Sequence, residues 1–249
     1  MTVDSFWKAA AETDDPLRDE LMSMIRKRYH ATPRHMQVEL GPSEVGHPCM
    51  RKIAYGLMVV PRSNPENDPL ASIVGTAPHS WLDSAAQHAN QVLGRERWLT
   101  EHRVEVQGGL SGSCDLYDVD TGTVIDWKVP GNTSYDRNVK DVSKVYRNQV
   151  HLYGRGFERL GYPVKYVAIA FLPKSKTLNG LYLFKEEYNP ALVDAVLARY
   201  NATIELLDSL RPEINPDAYH WIPAEPYECV YCPQYRPNPS SPFQCGGQK

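Results

Sequence analysis

No stretch of this 249-residue chain approaches the run of about eighteen apolar residues that a membrane-spanning helix requires. The opening segment MTVDSFWKAAAETDD is acidic where a secretory leader is basic and then apolar, so a cytoplasmic location is expected. A positive balance is missing too. The net charge is -3 at pH 7 and the isoelectric point lies near 6.2, so any binding of phosphate must come from a local basic surface. No Gly-x-x-x-x-Gly-Lys-Ser/Thr run is present, which excludes a P-loop motor within the chain. Internal repeats and low-complexity tracts are absent, and an apolar share of 42% is that of an ordinary globular protein.

Five cysteines is an odd count, and they are unevenly placed: Cys49 and Cys114 lie far upstream, whereas Cys229, Cys232 and Cys245 crowd the end. That distribution suits metal ligation in a reducing compartment better than a secreted disulfide framework. After Arg211 the composition turns to Pro, Tyr and Cys without periodicity, and such a segment is expected to need a metal to hold it. Three regions follow: an N-terminal helical segment over 1–42, a core over 43–211 and the cysteine-bearing segment 212–249.

Asp14, Asp15 and Pro16 start a predicted helix that ends in the basic run Arg26 to Arg28. Ser43 to Leu57 reads as a loop entering a helix, and PRSNPENDP as a linker. Asp68 and Pro69 cap the next helix, which runs to Leu93, with Leu70, Ile73, Val74, Ala77, Trp81, Leu82, Ala85 and Val92 predicted as its buried stripe. WLTEHRVEV, LSGSCDLYDV and TVIDWKV form an antiparallel strand meander. A helix over about 142–160, the strands YVAIAFL and GLYLF, and a helix over 190–210 complete a mixed α/β domain around a central sheet.

The second and third strands carry Asp115, Asp126 and Lys128 where apolar residues dominate. If Asp120 and Thr121 form a two-residue loop, Asp115 falls opposite Asp126, with Cβ atoms about 4.5 to 5.5 Å apart. Like charges at that distance repel unless a divalent cation lies between them. A three-residue loop with Gly122 in the left-handed region would shift the pairing by one. Lys128, two residues after Asp126, shares its face. Hard carboxylate oxygens suit Mg²⁺ or Mn²⁺, and a neighbouring lysine stabilises charge developing on a phosphate. The competing explanation is a surface hairpin with solvated charges.

His79 in Gly-x-x-x-His, Asp115 in GSCD, Asp126 and Lys128 in IDWK, and Gln149 and Tyr153 in Gln-x-x-x-Tyr occur in this order. The ordered set resembles the RecB-like branch of the PD-(D/E)xK nucleases, over about residues 43–245. The resemblance implies a restriction-endonuclease-like core, a central mixed sheet flanked by helices. It implies His79, Asp115, Asp126 and the Trp127 main-chain carbonyl as Mg²⁺ or Mn²⁺ ligands, with Lys128 positioning or activating water. Gln149 and Tyr153 would orient the strand, and cleavage from DNA ends, single-stranded or frayed, would leave 5′-phosphates.

Cys229-x-x-Cys232 followed by Cys245, with Cys49 ahead of the other motifs, is similar to the split iron-sulfur site of the CRISPR-associated exonucleases and the AddB nuclease domain, some of them phage-borne. That resemblance implies a [4Fe-4S] cluster in the C-terminal segment; a structural zinc satisfies the same thiols. Cys114 is expected to be a buried small residue outside this set. Arg51, Lys52, Lys144, Arg147 and Arg155, with Lys140 and Arg159, are candidate DNA contacts, each with solvated surface charge as the alternative. A helicase or recombination partner is expected to supply any unwinding. The competing function is a non-catalytic DNA-end-binding adaptor.

Overall fold

A computed structural model describes residues 15–31, 40–64 and 68–247 and divides the chain into two units, Met1–Val38 and Glu39–Lys249. In the first, α1 (Pro16–His30) begins where the Asp15 carboxylate accepts the Leu17 N–H at 2.9 Å and ends on Lys27, Arg28 and His30, cations that suit the carbonyl end of a helix. Asp14, also expected in that helix start, and Pro65 to Asn67 of the linker lie outside the described residues.

The second unit contains α2 (Pro42–Val45), α3 (Met50–Leu57), α4 (Leu70–Leu93), β1 (Trp98–Gln107), β2 (Leu110–Asp118), β3 (Thr123–Lys128), α5 (Asn132–Lys140), α6 (Lys144–Arg159), β4 (Tyr166–Phe171), β5 (Tyr182–Glu187) and α7 (Pro190–Leu210). The strands form one sheet in the order β1-β2-β3-β4-β5, antiparallel except for the parallel β3–β4 pair. A parallel pair needs a crossover, and α5 and α6 supply it. This mixed sheet with flanking helices is consistent with a restriction-endonuclease-like core.

Helix α6 forms the middle layer. Val150, Tyr153 and Phe157 join Val104, Tyr117, Val124, Val167, Ile169 and Phe171 in one apolar cluster, while Leu152 packs with Val45, Val193, Val196 and Leu197 in a second. Being apolar on both sides, the helix is buried from Asn148 to Gly154. Gly156 permits its close approach to β1, because a Cβ there would lie 2.5 Å from the Val104 Cβ.

The stripe assigned to the helix over 70–93 needs correction. No residue of α4 is buried, and Leu70 is 61%, Trp81 72% and Val92 74% exposed. The reason is that α4 meets the β1–β2 side of the sheet through polar bonds: Asn90 donates to the Trp98 carbonyl and accepts the Arg97 and Trp98 N–H groups. Among the described residues no helix is long and apolar enough to cross a membrane.

The C-terminal segment also has an apolar attachment that its composition did not suggest. Tyr219 and Ile222 are buried with Ala54, Tyr55 and Leu207, an apolar attachment that burial alone stabilises.

Gly156→Ala reverses the usual benefit of alanine in a helix, since overpacking against Val104 costs about 1 to 3 kcal/mol. A lowered denaturation midpoint, partly restored by adding Val104→Ala, is expected in urea titrations.

Candidate active site

The site forms where the β2–β3 ladder stops. Pairing runs through Asp118↔Thr123 and Tyr117↔Val124 to Leu116↔Ile125. Residues 119–122 make a four-residue turn closed by the Gly122 N–H donating to the Asp118 carbonyl at 2.9 Å, with Gly122 at φ +65°. The loop is therefore longer than two residues, but the register is the one that sets Asp115 against Asp126. Beyond Leu116 side chains take over from backbone: the Asp115 carboxylate accepts the Trp127 N–H at 2.7 Å, and the Cys114 thiol donates to the Ile125 carbonyl at 3.7 Å. Cys114 is fully buried, away from the other cysteines.

The remaining acids of the hairpin have structural partners. Arg97 forks onto Asp118 at 2.8 and 2.9 Å, and Arg95 onto Asp120 at 2.6 Å. Asp115 and Asp126 have different company.

The other Asp115 oxygen lies 3.3 Å from His79 Nδ1 on α4. Pro78 inside that helix has no N–H to donate back to the preceding turn, so one helical bond is missing beside His79. The bond to Asp115 raises the His79 pKa against the opposing effect of burial. Glu101 joins them: one ligand atom each from His79, Glu101 and Asp115 lies within 4.8 Å of the others. Glu101 has a left-handed backbone, φ +46°, inside a strand where only glycine adopts this readily. It is also missing from the register between Thr100↔Leu116 and His102↔Cys114. Desolvation, and then the nearby Asp115 charge, raise the Glu101 pKa.

Glu101 escaped the sequence reading, although a signal exists. Leu99 and Val104 are both core residues five positions apart, so the strand must break its alternation between them.

Asp126, 3% exposed, stands outside the trio. Its Oδ1 accepts from Gln149 Nε2 at 3.0 Å, and its Oδ2 lies 2.6 Å from Lys128 Nζ, an ion pair with no aligned hydrogen bond. Lys128 donates to Gln149 Oε1 at 3.2 Å and sits 4.8 Å from the centre of the Tyr146 ring. Gln149 Nε2 also reaches the Tyr153 hydroxyl at 3.4 Å. Burial pushes the Asp126 carboxyl above its ordinary value, with Lys128 opposing. Burial would lower Lys128, but the Asp126 carboxylate outweighs it and keeps the ammonium protonated. His79, Asp115, Asp126, Lys128, Gln149 and Tyr153 thus converge; the Trp127 group engaged is its N–H.

Cys49, Cys229, Cys232 and Cys245 line a single cavity with His47, Arg51, Lys52 and Tyr55. His47 is held neutral, its pKa lowered to about 3 by burial and then by Lys52 and Arg199. Its Nδ1 accepts the Cys49 N–H at 3.1 Å.

The basic residues divide. Arg147 forks onto Glu186, Arg155 pairs with Asp194, Arg159 faces Glu105, and Arg51 bonds to the C-terminal segment. Lys140 and Lys144 are exposed, and Lys52 faces the cysteine cavity.

Neither a family model nor a curated protein sequence matches the chain. Among solved structures it is similar to SSO0001, with a TM-score of 0.50 and 15% identity over 88% of this chain and 94% of that one. An alkaline exonuclease from Laribacter hongkongensis superposes at 0.49 with 13% identity, over 74% of this chain and 95% of that one. A phage related exonuclease from Haemophilus somnus gives 0.43 and 16%, over 66% and 82%. The likeness to SSO0001 is one of fold.

Because Asp115 raises the His79 pKa, the pair contributes stability that is fully present below the unfolded value of about 6.5 and lost as pH rises through the folded value. Asp115→Asn should therefore lower the melting temperature of metal-free protein more at pH 5.5 than at pH 8.5, as read by circular dichroism.

Proposed function

We propose that the chain is a Mg²⁺- or Mn²⁺-dependent deoxyribonuclease that hydrolyses phosphodiester bonds from DNA ends, preferring single strands and leaving 5′-phosphates. The observation that carries this reading is the junction of two unlike half-sites. An open trio of hard donors, His79, Glu101 and Asp115, adjoins a buried Asp126–Lys128–Gln149 network.

The trio fits a small divalent cation, because two carboxylates and one imidazole nitrogen converge within 4.8 Å. When bound, such an ion acidifies its water and neutralises phosphate charge. Asp126 is the further carboxylate at hand from the adjacent strand. Lys128, kept protonated by Asp126, acts through charge: it stabilises the phosphate oxygens and orients water rather than abstracting a proton. Gln149 fixes the lysine from α6 and is itself braced by the Tyr153 hydroxyl.

The four thiols of the second cavity suit an iron-sulfur cluster. A structural zinc would take the same four thiolates, so the iron-sulfur reading rests on the cysteine pattern, and metal and sulfide analysis decides between them. A cluster here ties α3 to the C-terminal segment.

End-labelled single- and double-stranded DNA, incubated with Mn²⁺, Mg²⁺ or chelator, tests the reading. Metal-dependent release of 5′-phosphorylated products is expected, with Asp126→Ala and Lys128→Ala each slower by at least about 10²-fold while the fold is retained. Full activity in Asp126→Ala would sink the assignment, and DNA binding without degradation would mark an adaptor. Glu101→Gln should raise the Mn²⁺ concentration needed for half-maximal rate.

A further inference from the structure

Arg51 follows Cys49 by two residues, in the first turn of α3. Its own N–H donates to the Pro223 carbonyl at 3.0 Å. Its guanidinium donates through Nε and Nη2 to the Ile222 carbonyl at 3.1 and 3.0 Å, and through Nη2 to the His220 carbonyl at 2.8 Å. Nη1 points at Cys245 Sγ, 3.8 Å away. The accepting carbonyls belong to the end of the 3-10 turn Pro216–Trp221 and the residue after it, where a helical partner is lacking. Only a planar fork with five N–H donors meets two carbonyls and a sulfur together, so lysine is not its equivalent.

The backbone of Cys245 is held separately. Its N–H donates to the Gln234 carbonyl at 2.8 Å and its carbonyl accepts the Arg236 N–H at 2.9 Å. The peptide fixes where the residue sits; Arg51 fixes where its sulfur points. Lys52, the next residue, lines the same cavity, and the charge of Arg199 acts on His47, another lining residue. Cationic side chains thus gather at a cavity that deprotonated thiols would make strongly negative.

We propose that Arg51 is a positioning residue for the thiol-bound group: it orients Cys245 for ligation and sets the electron affinity of the cluster through an N–H to sulfur contact. The proposal rests on the iron-sulfur reading above. Hydrogen bonds to cluster sulfurs and nearby positive charge favour the more negative, reduced state, so they raise the reduction potential. Removing Arg51 should lower that potential and speed the loss of iron.

The test uses full-length protein purified without oxygen, as wild type, Arg51→Met and Arg51→Lys. Iron and acid-labile sulfide content, midpoint potential by redox titration, and rate of iron release to a chelator are measured. In Arg51→Met the ratio of reduced to oxidised cluster at a fixed potential is expected to fall about tenfold, equivalent to ~59 mV for one electron. Iron release should be faster in both variants. A merely structural arginine would leave the potential unmoved. If Arg51→Met collects no iron, Arg51→Lys decides: release at the wild-type rate overturns the proposal and faster release supports it. Wild-type protein containing zinc and no sulfide overturns the cluster reading and this proposal with it. Sulfide-bearing wild type, with an Arg51→Met variant of unchanged potential and release rate, overturns the Arg51 assignment alone.

Discussion

The candidate site depends on one backbone group, the Trp127 N–H, taking a side-chain partner. A buried N–H left unpaired costs about 1 to 3 kcal/mol, so the β2–β3 ladder cannot stop without a substitute acceptor. Asp115 provides it at 2.7 Å, a charge-assisted bond. The same carboxylate then has its second oxygen free to meet His79 and Glu101. The end of a strand pair thus becomes the start of a polar cluster. The left-handed Glu101 backbone is the matching irregularity on the other side of β2.

The second half-site follows from alternation along β3. Val124, Asp126 and Lys128 share one face, beside Val167, Ile169 and Phe171 of the parallel neighbour. Val124 is fully buried, Asp126 nearly so, and Lys128 reaches the edge, so the strand carries a graded path from core to solvent. Replacing such a buried pair by apolar groups is often neutral or stabilising, whereas removing one partner is costly. The pair is therefore explained better by chemistry than by stability, and Gln149, Tyr146 and Tyr153 meet it from the edge of the core.

Much of this was legible in the chain. The five strands follow from runs of β-branched and aromatic residues between turn signals, and α7 from Asn189-Pro190 and a long apolar period. The register that sets Asp115 against Asp126 depends only on the turn being centred between Asp120 and Thr121, so a four-residue turn serves as well as a two-residue one. Helix α5, NTSYDRNVK, went unread because it has little apolar periodicity. The exposure of α4 was hidden for the opposite reason: its apolar residues repeat as a core helix's do, yet Asn90 and His79 dock it by polar bonds. Arg51 reads from the sequence as a candidate DNA contact, or else solvated charge, because its acceptors are carbonyls far along the chain, invisible to any local pattern.

The Arg51 to Cys245 contact spans 194 positions. Almost the whole α/β core lies between its two ends, and contacts of such separation carry a large loop-closure entropy. The thiol cavity consequently exists only in the folded chain. A group bound there would certify a finished core, since a partly folded chain presents Cys49 and Cys245 to solvent as strangers.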